Sequence, residues 1–369
     1  MASVSILKCP DYEEEKVVQI MNNLLNSIGL DQVRGKKILL KPNILYAAKP
    51  EKAVTTHPSV LKAAILYLKR NGNTIYVGDS PAFQNQDSAG IRVGLKQVTE
   101  ECGAIWQDFS QTAAVPAPEG KLVKSFQLAS ILNEVDIVIS MAKMKTHSLM
   151  YYTGAIKNLF GLVPGLSKSA LHLRFPDRDN FAQMIVDLNL AVKPNYAIMD
   201  AIVGMEGPGP GSGYPRNVGL LLASDNVLAL DLTAARIMGY KAETLPILSQ
   251  ALDCGYWLKP GETIEYPLEK AEDLSINDYR LIWHLHDASM FKDYMPEWAF
   301  RLIKNLTVKR PIFNPRKCKL CSECVRICPA KALSIQDNRV NADYKKCIRC
   351  YCCHEICSHD AITLTKKLF

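Results

Sequence analysis

The sequence predicts an α/β fold with a mostly parallel sheet and helices on both faces, followed by a small C-terminal domain of different character. Two observations support this prediction. Short apolar segments alternate with helical segments between residues 37 and 238, and repeated β-then-α order is typical of a parallel sheet covered by helices. Residues 310–369 instead carry eight cysteines in two runs of identical spacing.

The predicted elements follow from local signals. Strands are short apolar runs that end at polar residues or glycine, and they cover 37–40, 74–77, 136–141, 196–199 and 220–223. A proline at the first turn and a glycine after the last turn mark the ends of helices. The predicted helices cover 58–70, 88–102, 179–192 and 226–238.

Polar residues follow the carboxyl ends of four of these strands. In an open α/β sheet such ends lie along one edge, where ligands bind near the switch in strand order. We therefore expect the four segments to converge on one cleft. Together with Asn158, further along the chain, they supply the predicted ligand-binding residues Lys41, Asn43, Asp79, Ser80, Lys143 and Glu206.

The segment 143–174 is the densest in basic side chains, with seven lysine, histidine or arginine residues among glycines and apolar residues. Such a set suits an anionic ligand, which could be a carboxylate, a phosphate or an enolate-like intermediate. A solvated basic face is the alternative, and for Lys168 and Arg174 it is equally well supported.

Three residues of this segment are the predicted catalytic residues. Lys145 and Lys157 are expected to neutralise the anion and to stabilise negative charge that develops on it. His147 is expected to donate a proton, because imidazole titrates near neutrality unless its surroundings perturb it. Asp79 and Glu206 could form an acid–base pair or simply cap their loops.

Residues 206–215 contain four glycines and three prolines. The segment does not match a dinucleotide fingerprint, because prolines interrupt it, and it lacks the ending of a phosphate-binding P-loop. We predict that the segment is a lid or that its backbone approaches a ligand closely. The alternative is a plain connecting loop.

The two cysteine runs share the spacing C-x2-C-x2-C-x3-C. This spacing lets three thiolates of one tight turn hold a [4Fe-4S] cube, while the fourth thiolate crosses to the other cube. The sequence therefore predicts two [4Fe-4S] clusters. The first is expected on Cys318, Cys321, Cys324 and Cys357, and the second on Cys347, Cys350, Cys353 and Cys328.

Other uses of these cysteines fit less well. Zinc would leave the third cysteine of each run unexplained, and disulfides need an oxidising compartment, whereas the N-terminus resembles no secretory signal. Clusters of this kind favour a reducing cytoplasm and an anaerobic organism. Cys352 is a ninth thiol, predicted not to be a ligand, and Ser358 stands where a proline usually follows the fourth cysteine.

The charge of the chain is concentrated in its tail. Residues 310–369 hold twelve Lys or Arg against five Asp or Glu, so the other residues hold 32 of each sign and the net charge of +7 lies in the tail. A basic face favours the more negative, reduced form of a cluster, or docks an acidic electron donor or acceptor such as a ferredoxin or flavodoxin. Nucleic acid is not expected, because no basic stripe with interleaved aromatics accompanies the charge.

Length and composition set the remaining limits. The 48% apolar content is ample for a core, and no apolar run is long enough for a membrane span, so a soluble, cytoplasmic protein is expected. The predicted domains are an α/β domain over 1–254, a connecting segment over 255–310 and a cluster domain over 311–369. In the connecting segment His284 and His286 are interpreted as structural, and 297–308 as an amphipathic helix.

The order of motifs resembles one known family. Lys-Pro-Asn at 41–43, Thr-His-Pro at 56–58, Gly-Asp-Ser-Pro at 78–81, the basic block from 143 to 161 and the Gly-Pro segment precede a tail that resembles a bacterial two-cluster ferredoxin. Together they resemble the ferredoxin-tailed proteins of domain-of-unknown-function family 362. The resemblance implies a cytoplasmic iron–sulfur protein with a C-terminal ferredoxin-like α+β domain, but no particular reaction. The opening segment is also similar in fold to lactate-racemase-type nickel enzymes.

Three functions remain open on these observations. The first is an iron–sulfur oxidoreductase that passes single electrons to a small anionic substrate or cofactor in the α/β cleft. The second is an electron carrier or assembly factor whose large domain docks a partner enzyme. The third is a non-redox lyase or isomerase with structural clusters. The sequence shows no flavin motif, and whether the cleft holds a flavin or a further metal stays open.

Overall fold

The computed structural model describes residues 2–81, 86–283, 295–296, 299 and 307–366. His284, His286 and most of the helix expected over 297–308 lie outside these residues. The strands are β1 (Ala2–Lys8), β2 (Lys37–Lys41), β3 (Thr74–Val77), β4 (Ile105–Trp106), β5 (Thr112–Pro116), β6 (Ser125–Ala129), β7 (Ile137–His147), β8 (Tyr151–Thr153), β9 (Tyr196–Glu206), β10 (Tyr214–Ser224), β11 (Ile264–Glu265), β12 (Arg310–Phe313), β13 (Leu333–Gln336), β14 (Arg339–Ala342) and β15 (Ile362–Thr365).

The helices connect these strands and cover the sheet. They are α1 (Glu14–Ser27), α2 (Pro58–Lys69), α3 (Gln86–Arg92), α4 (Leu95–Glu101), α5 (Ala155–Asn158), α6 (Ser167–Arg174), α7 (Arg178–Val192), α8 (Val227–Ile237), α9 (Pro246–Cys254), α10 (Glu323–Ile327) and α11 (Cys352–Ile356). None of the helices in the described ranges is both long and apolar enough to cross a bilayer.

The main sheet has the strand order β11-β1-β10-β9-β7-β2-β3-β4, and β8 pairs with the end of β7. Its centre is parallel, because β9, β7, β2, β3 and β4 run in the same direction. β10 is antiparallel to both β9 and β1. The predicted α/β class with a mostly parallel sheet is therefore confirmed, with an antiparallel flank that the apolar runs did not indicate.

Helices cover both faces of this sheet, as predicted. One buried apolar cluster joins α1, α2 and α4 to the sheet through residues such as Leu24, Leu61 and Leu95. A second cluster packs α7, α8 and α9 on the opposite face through residues such as Ile185, Leu230 and Leu248. Each helix therefore buries its apolar stripe against the sheet, which is the usual architecture of α/β domains.

Two predicted elements differ from the structure. The helix expected over 88–102 is two helices, α3 and α4, because Gly94 between them has φ of 77°, a conformation that ends a helix. β7 continues to His147, well past the predicted end at residue 141, and every residue from Val138 onward is buried. The prediction followed apolar residues only. Because the second half of β7 contains buried lysines, the predicted strand ended too early.

The C-terminal part repeats one small motif. β12 pairs with β15 and β13 pairs with β14, both antiparallel, and the short helices α10 and α11 each follow a cysteine-rich turn. Residues 255–283 pack on the α/β part instead, where β11 extends the sheet beside β1. The ferredoxin-like α+β character of the tail is thus confirmed.

Candidate functional site

A cavity of about 100 Å³ lies where the carboxyl edge of the sheet meets the C-terminal part. Eight of the ten predicted cleft residues line it, and they are Lys41, Asn43, Asp79, Ser80, Lys145, His147, Lys157 and Asn158. Lys168 and His172 of α6 and Cys352 and Glu355 of α11 complete the polar part of the wall. The convergence expected from the strand ends is therefore present.

Lys41 forms a buried ion pair with Asp79 at the floor of the cavity. Its Nζ lies 2.8 Å from Asp79 Oδ1 and donates to Asn158 Oδ1 and to the carbonyl oxygen of Pro42. All three ammonium protons are thus used. A Cβ on Gly161 would lie 2.1 Å from Asp79 Oδ1 and 2.5 Å from Lys41 Nζ, so the pair requires a glycine at this position.

Asn158 links this pair to Lys145. Its Oδ1 accepts a hydrogen bond from Asn43 Nδ2 as well as from Lys41. Asn43 Oδ1 in turn accepts a hydrogen bond from Lys145 Nζ, which also donates to the carbonyl oxygen of Val54. If it is protonated, Lys145 therefore keeps one donor for a ligand.

Lys145 forms no ion pair with a carboxylate of the described residues. Burial lowers its pKa well below the usual value, and the positive charges of Lys157, Lys143 and Lys41 lower it further. Asp79 acts in the opposite direction, but it is the smallest of these effects. A bound anion would oppose all of these causes, because it favours the charged form of the lysine.

Lys157 projects from α5, whose position is fixed by Asp231. The two carboxylate oxygens of Asp231 accept hydrogen bonds from the backbone N–H groups of Ala155 and Ile156, at 2.6 and 2.9 Å. Burial raises the pKa of Asp231 to about 7, although these hydrogen bonds lower it. Lys157 itself is partly buried, and burial lowers its pKa.

The Nζ of Lys157 has no hydrogen-bond or ion-pair partner among the residues that the structure describes. Glu355 and Cys352 are its nearest acidic neighbours and raise its pKa against the effect of burial. The ammonium group is therefore available to a ligand in the cavity.

His147 presents an N–H group to the cavity. Its Nδ1 accepts hydrogen bonds from the backbone N–H groups of Leu149 and Met150, at 3.1 and 3.3 Å. Because Nδ1 is an acceptor, the neutral ring carries its proton on Nε2. Nε2 lies 3.4 Å from Glu355 Oε1, yet neither atom makes a hydrogen bond within the described ranges.

The expected proton-donor role of His147 needs a correction. The side chain is fully buried. Burial lowers its pKa well below 6.5, and the charges of Lys157 and Lys145 lower it further. His147 is therefore neutral near neutrality and can donate a hydrogen bond, but it does not hold the extra proton of an imidazolium acid.

Lys168 and His172 form the outer wall on α6. Lys168 Nζ donates to the carbonyl oxygen of Ser80 at 2.6 Å, and burial lowers its pKa to about 7. His172 stacks on Phe181, with ring centroids 4.2 Å apart, and burial lowers its pKa to about 3. The sequence left Lys168 undecided, and only the fold shows that it is buried.

Two of the ten predicted cleft residues lie elsewhere. Lys143 Nζ is 2.9 Å from Asp200 Oδ2 and donates to the hydroxyl of Tyr12, in a buried cluster outside the cavity. The pairing of β7 with β9 shifts register at this point, so that Lys143 lies opposite Asp200 and Lys145 opposite Met205. Glu206 pairs instead with Arg280 at 3.2 Å. Asp79 and Glu206 therefore do not form an acid–base pair.

The Gly-Pro segment packs tightly against neighbouring backbone. The N–H and hydroxyl of Ser148 both donate to the carbonyl oxygen of Gly209, and a Cβ on Gly209 would lie 2.1 Å from the carbonyl oxygen of Thr146. A Cβ on Gly211 would lie 2.9 Å from the carbonyl oxygen of Glu355. The glycines allow close packing of the two parts of the chain, and Pro210 reaches the cavity wall.

The eight predicted ligand cysteines form two groups, each around a small cavity. Cys318, Cys321, Cys324 and Cys357 line one cavity, and Cys328, Cys347, Cys350 and Cys353 line the other. These are the two sets predicted from the crossed spacing. Burial raises the pKa of Cys324 to about 12, and the three neighbouring thiols add to the effect.

Burial makes the thiolate forms of these cysteines unfavourable, and bound iron would stabilise those forms. The two sets of cysteines therefore fit iron–sulfur clusters. Cys318 accepts a hydrogen bond from the N–H of Leu320, and Cys328 accepts one from the N–H of Ala332. Such donors are the ordinary surroundings of cluster sulfur atoms.

Cys352 lies between the two kinds of site. It lines both the lysine-rich cavity and the cavity formed by Cys328, Cys347, Cys350 and Cys353. A hydrogen bond between Cys352 and Cys350 is the main cause that raises the pKa of Cys352 and lowers that of Cys350. That Cys352 is not a cluster ligand stays a prediction.

Sequence reasoning missed Glu355, and it did not place Cys352 beside the cleft. Both lie on α11, whose positions were assigned wholly to the clusters. The extra thiol of Cys352, which has no counterpart in the first cysteine run, was the one available signal. Nothing in the sequence, however, gives the docking of the tail on the sheet edge.

Known proteins share these features in two separate regions. The sequence pattern of a family described as domain of unknown function 362 matches residues 38–236, and that of a 4Fe-4S dicluster domain matches residues 310–358. A thylakoid-associated protein of Synechocystis sp. is 30% identical over 284 residues, which cover 76% of this chain and 87% of that protein.

A solved structure gives a more distant likeness. The lactate racemase apoprotein from Thermoanaerobacterium thermosaccharolyticum aligns with a TM-score of 0.39 and 16% identity. The alignment covers 60% of this chain and 54% of that chain, so it spans about half the length of the racemase.

Proposed function

Since the chain belongs to the domain-of-unknown-function 362 family and ends in a 4Fe-4S dicluster domain, we propose that it is an iron–sulfur oxidoreductase. Single electrons would pass through two [4Fe-4S] clusters to a small anionic substrate in the lysine-rich cavity. The observation that carries the proposal is the position of Cys352, which lines both that cavity and the cavity around the second cysteine group.

The two cysteine groups differ in exposure, and this difference supports one order of electron transfer between them. Cys321 of the first group is exposed, whereas the second group lies next to the substrate cavity through Cys352. Bound clusters would supply one electron at a time. The first group would exchange electrons with a partner, and the second would serve the cavity.

The residues of the cavity would bind the anion and supply a proton. Lys145 and Lys157 supply positive charge, and Nε2–H of His147 supplies a hydrogen bond. Lys168, with a pKa of about 7, holds a transferable proton near neutrality and is placed at the same wall. Asn158 and Asp231 hold these groups in position without being consumed.

An acidic electron carrier is the proposed partner. Lys319 is exposed and lines the first cysteine group, and Arg326 donates to the carbonyl oxygen of Cys321. Electron transfer from a reduced flavodoxin should therefore slow as ionic strength rises. Lys319→Glu should slow it further, whereas Lys121→Glu, an equal charge change at an exposed position far along the chain, should not. A rate insensitive to salt would exclude this partner.

The function itself is tested by oxidation of the reduced protein. Anaerobically purified protein is reduced photochemically and mixed with a panel of small carboxylates and inorganic oxyanions, while visible absorbance reports cluster oxidation. We expect at least one anion to oxidise the clusters at a rate that falls at least tenfold in Lys157→Gln. Methyl viologen, a cationic acceptor, should oxidise both proteins equally.

The same experiment separates the rival functions. If no anion of the panel oxidises the clusters, the cavity is not a reduction site and an electron carrier becomes the better description. If an anion is chemically altered while the clusters stay oxidised, the activity is non-redox. Either result would overturn the proposal.

A further inference from the structure

The cavity offers hydrogen-bond donors that lack acceptors. Nε2–H of the fully buried His147 makes no hydrogen bond in the described part of the chain, and Lys157 Nζ is likewise without a partner there. Lys145, if protonated, has a third proton to give. A buried donor without an acceptor is unfavourable, so a ligand rich in acceptor oxygens would complete the site.

The charges around the cavity are also unbalanced. Among the residues that the structure describes, the cavity is lined by four lysines, Lys41, Lys145, Lys157 and Lys168, and by two carboxylates, Asp79 and Glu355. With these six side chains ionised, two positive charges have no counter-charge among them. Asp79 is already committed to Lys41. The imbalance therefore falls on the other three lysines, which are those nearest the free donors.

The size of the cavity restricts the ligand. Its volume is about 100 Å³, whereas a protein cavity of about 150 Å³ holds benzene, which has six heavy atoms. By simple proportion the cavity encloses roughly four heavy atoms, which is close to the five of a sulfate or phosphate ion. A nucleotide or an organic cofactor such as a flavin is too large to lie wholly inside it.

Considering the free donors, the charge imbalance and the volume together, we infer that the ligand is a small dianionic oxyanion of the sulfate or phosphate kind. His147 Nε2–H, Lys145 and Lys157 bind its oxygens, and Lys168 closes the outer side. The inference names the class of anion that the cavity binds and assigns no electron transfer to sulfate or phosphate themselves; it rests on the proposed function only in treating this cavity as the substrate site.

Sulfate is the probe that tests this inference, because it keeps two negative charges throughout the neutral range. Binding to the oxidised, cluster-containing protein is measured by titration calorimetry in a buffer free of other oxyanions, and acetate and methanesulfonate serve as monoanions. We expect sulfate to bind about tenfold or more tightly than either monoanion.

Variants locate the site. Lys157→Gln should weaken sulfate binding about ten- to a hundredfold, as expected for the loss of a hydrogen bond to a charged group. Lys168→Met removes a cation and leaves Lys157 unchanged, and it should also weaken sulfate binding. This variant replaces Lys157→Gln in the test if Lys157→Gln does not fold. Lys121→Gln, an exposed lysine outside the cavity, should bind like the parent protein. Visible absorbance and thermal unfolding confirm that each variant is folded and loaded.

The outcomes distinguish the ligand class from the function. Sulfate binding that is absent, or that is equally strong in the cavity variants, overturns the inference even if larger anions still oxidise the clusters. Sulfate binding that depends on Lys157 and Lys168 supports it even if no anion in the panel accepts electrons.

Discussion

Two clusters of lysines lie near the end of β7, and they differ in their counter-charges. Lys143 lies 2.9 Å from Asp200, which also accepts hydrogen bonds from the hydroxyl of Tyr12 and the backbone N–H of His57. Lys145, two residues further along β7, and Lys157 on α5 form no ion pair with a carboxylate in the described part of the chain, although Glu355 raises the pKa of Lys157. We call the first the Lys143 cluster and the second the cavity lysines.

Because of this difference, the two clusters have different roles. In the Lys143 cluster Asp200 balances the charge of Lys143 and accepts hydrogen bonds from Tyr12 and His57, so the pair holds the segment around Thr56 and His57 against the sheet. The cavity lysines repel one another, which costs stability unless an anion is present. The same residue type therefore serves packing in one place and ligand binding in the other.

The largest expected effect comes from breaking the Lys143 cluster. Asp200→Ala leaves Lys143 buried without a counter-charge and removes the acceptor of Tyr12 and His57. The free energy of unfolding should fall by about 3–5 kcal/mol, the usual result of leaving one member of a buried pair. Unfolding in urea followed by circular dichroism measures this change.

The cavity lysines provide the matched control. Lys157→Met removes a cation that has no hydrogen-bond or ion-pair partner among the described residues, so the free energy of unfolding should change by less than about 1 kcal/mol or rise. Equal losses for Asp200→Ala and Lys157→Met would mean that the two clusters do not differ as described.

A smaller effect is expected at Lys41, which also lines the cavity but is paired with Asp79. Gly161→Ala places a methyl group within 2.5 Å of Lys41 Nζ and closer still to Asp79 Oδ1. Displacing this pair should lower the free energy of unfolding by about 1–3 kcal/mol, as overpacking commonly does. Urea unfolding again measures it. If stability is unchanged, the Lys41–Asp79 pair does not contribute to the fold.

The smallest effect concerns pH. The pKa of Lys168 in the empty cavity is about 7, lowered by burial and by the charges of Lys41 and Lys157, with Asp79 acting in the opposite direction. The ammonium form binds an anion and the neutral form does not, so sulfate affinity should be highest below pH 7. It should then fall by up to about tenfold per pH unit above that value.

Calorimetry across pH 6–9 tests this dependence, with Lys168→Met as the control. The variant should bind more weakly below pH 7 but should lose less affinity as the pH rises. An unchanged pH profile in Lys168→Met would assign the titration to another group.

Several features of the fold and site could be predicted because the signal is local. Cysteine spacing predicted which cysteines group together, since the crossed arrangement depends only on the turn geometry around each run; that they bind clusters stays a prediction. Apolar runs followed by polar residues gave the strands around the cavity, and Pro58 gave the start of α2. Eight cleft residues came together because parallel strands share one carboxyl edge.

The remaining features depend on contacts that are distant in the sequence. The register shift between β7 and β9, which places Lys143 opposite Asp200 and Lys145 opposite Met205, depends on the pairing of two distant strands. The low pKa of His147 arises from burial under α11, more than two hundred residues later in the chain. Pairing partners and burial are tertiary properties, and residue types at fixed spacing do not encode them.

The central claim is that the lysine-rich cavity and the second cysteine group act as one electron-transfer site. The most direct test is a potentiometric titration of the cluster-containing protein with and without bound sulfate, followed by electron paramagnetic resonance. A bound anion disfavours reduction nearby, and one unit charge about 10 Å away at an effective dielectric near 20 corresponds to roughly 70 mV. We expect one cluster to shift downward by tens of millivolts, the other to shift less, and Lys157→Gln to abolish the shift. Potentials that stay constant while calorimetry shows sulfate bound would contradict the claim.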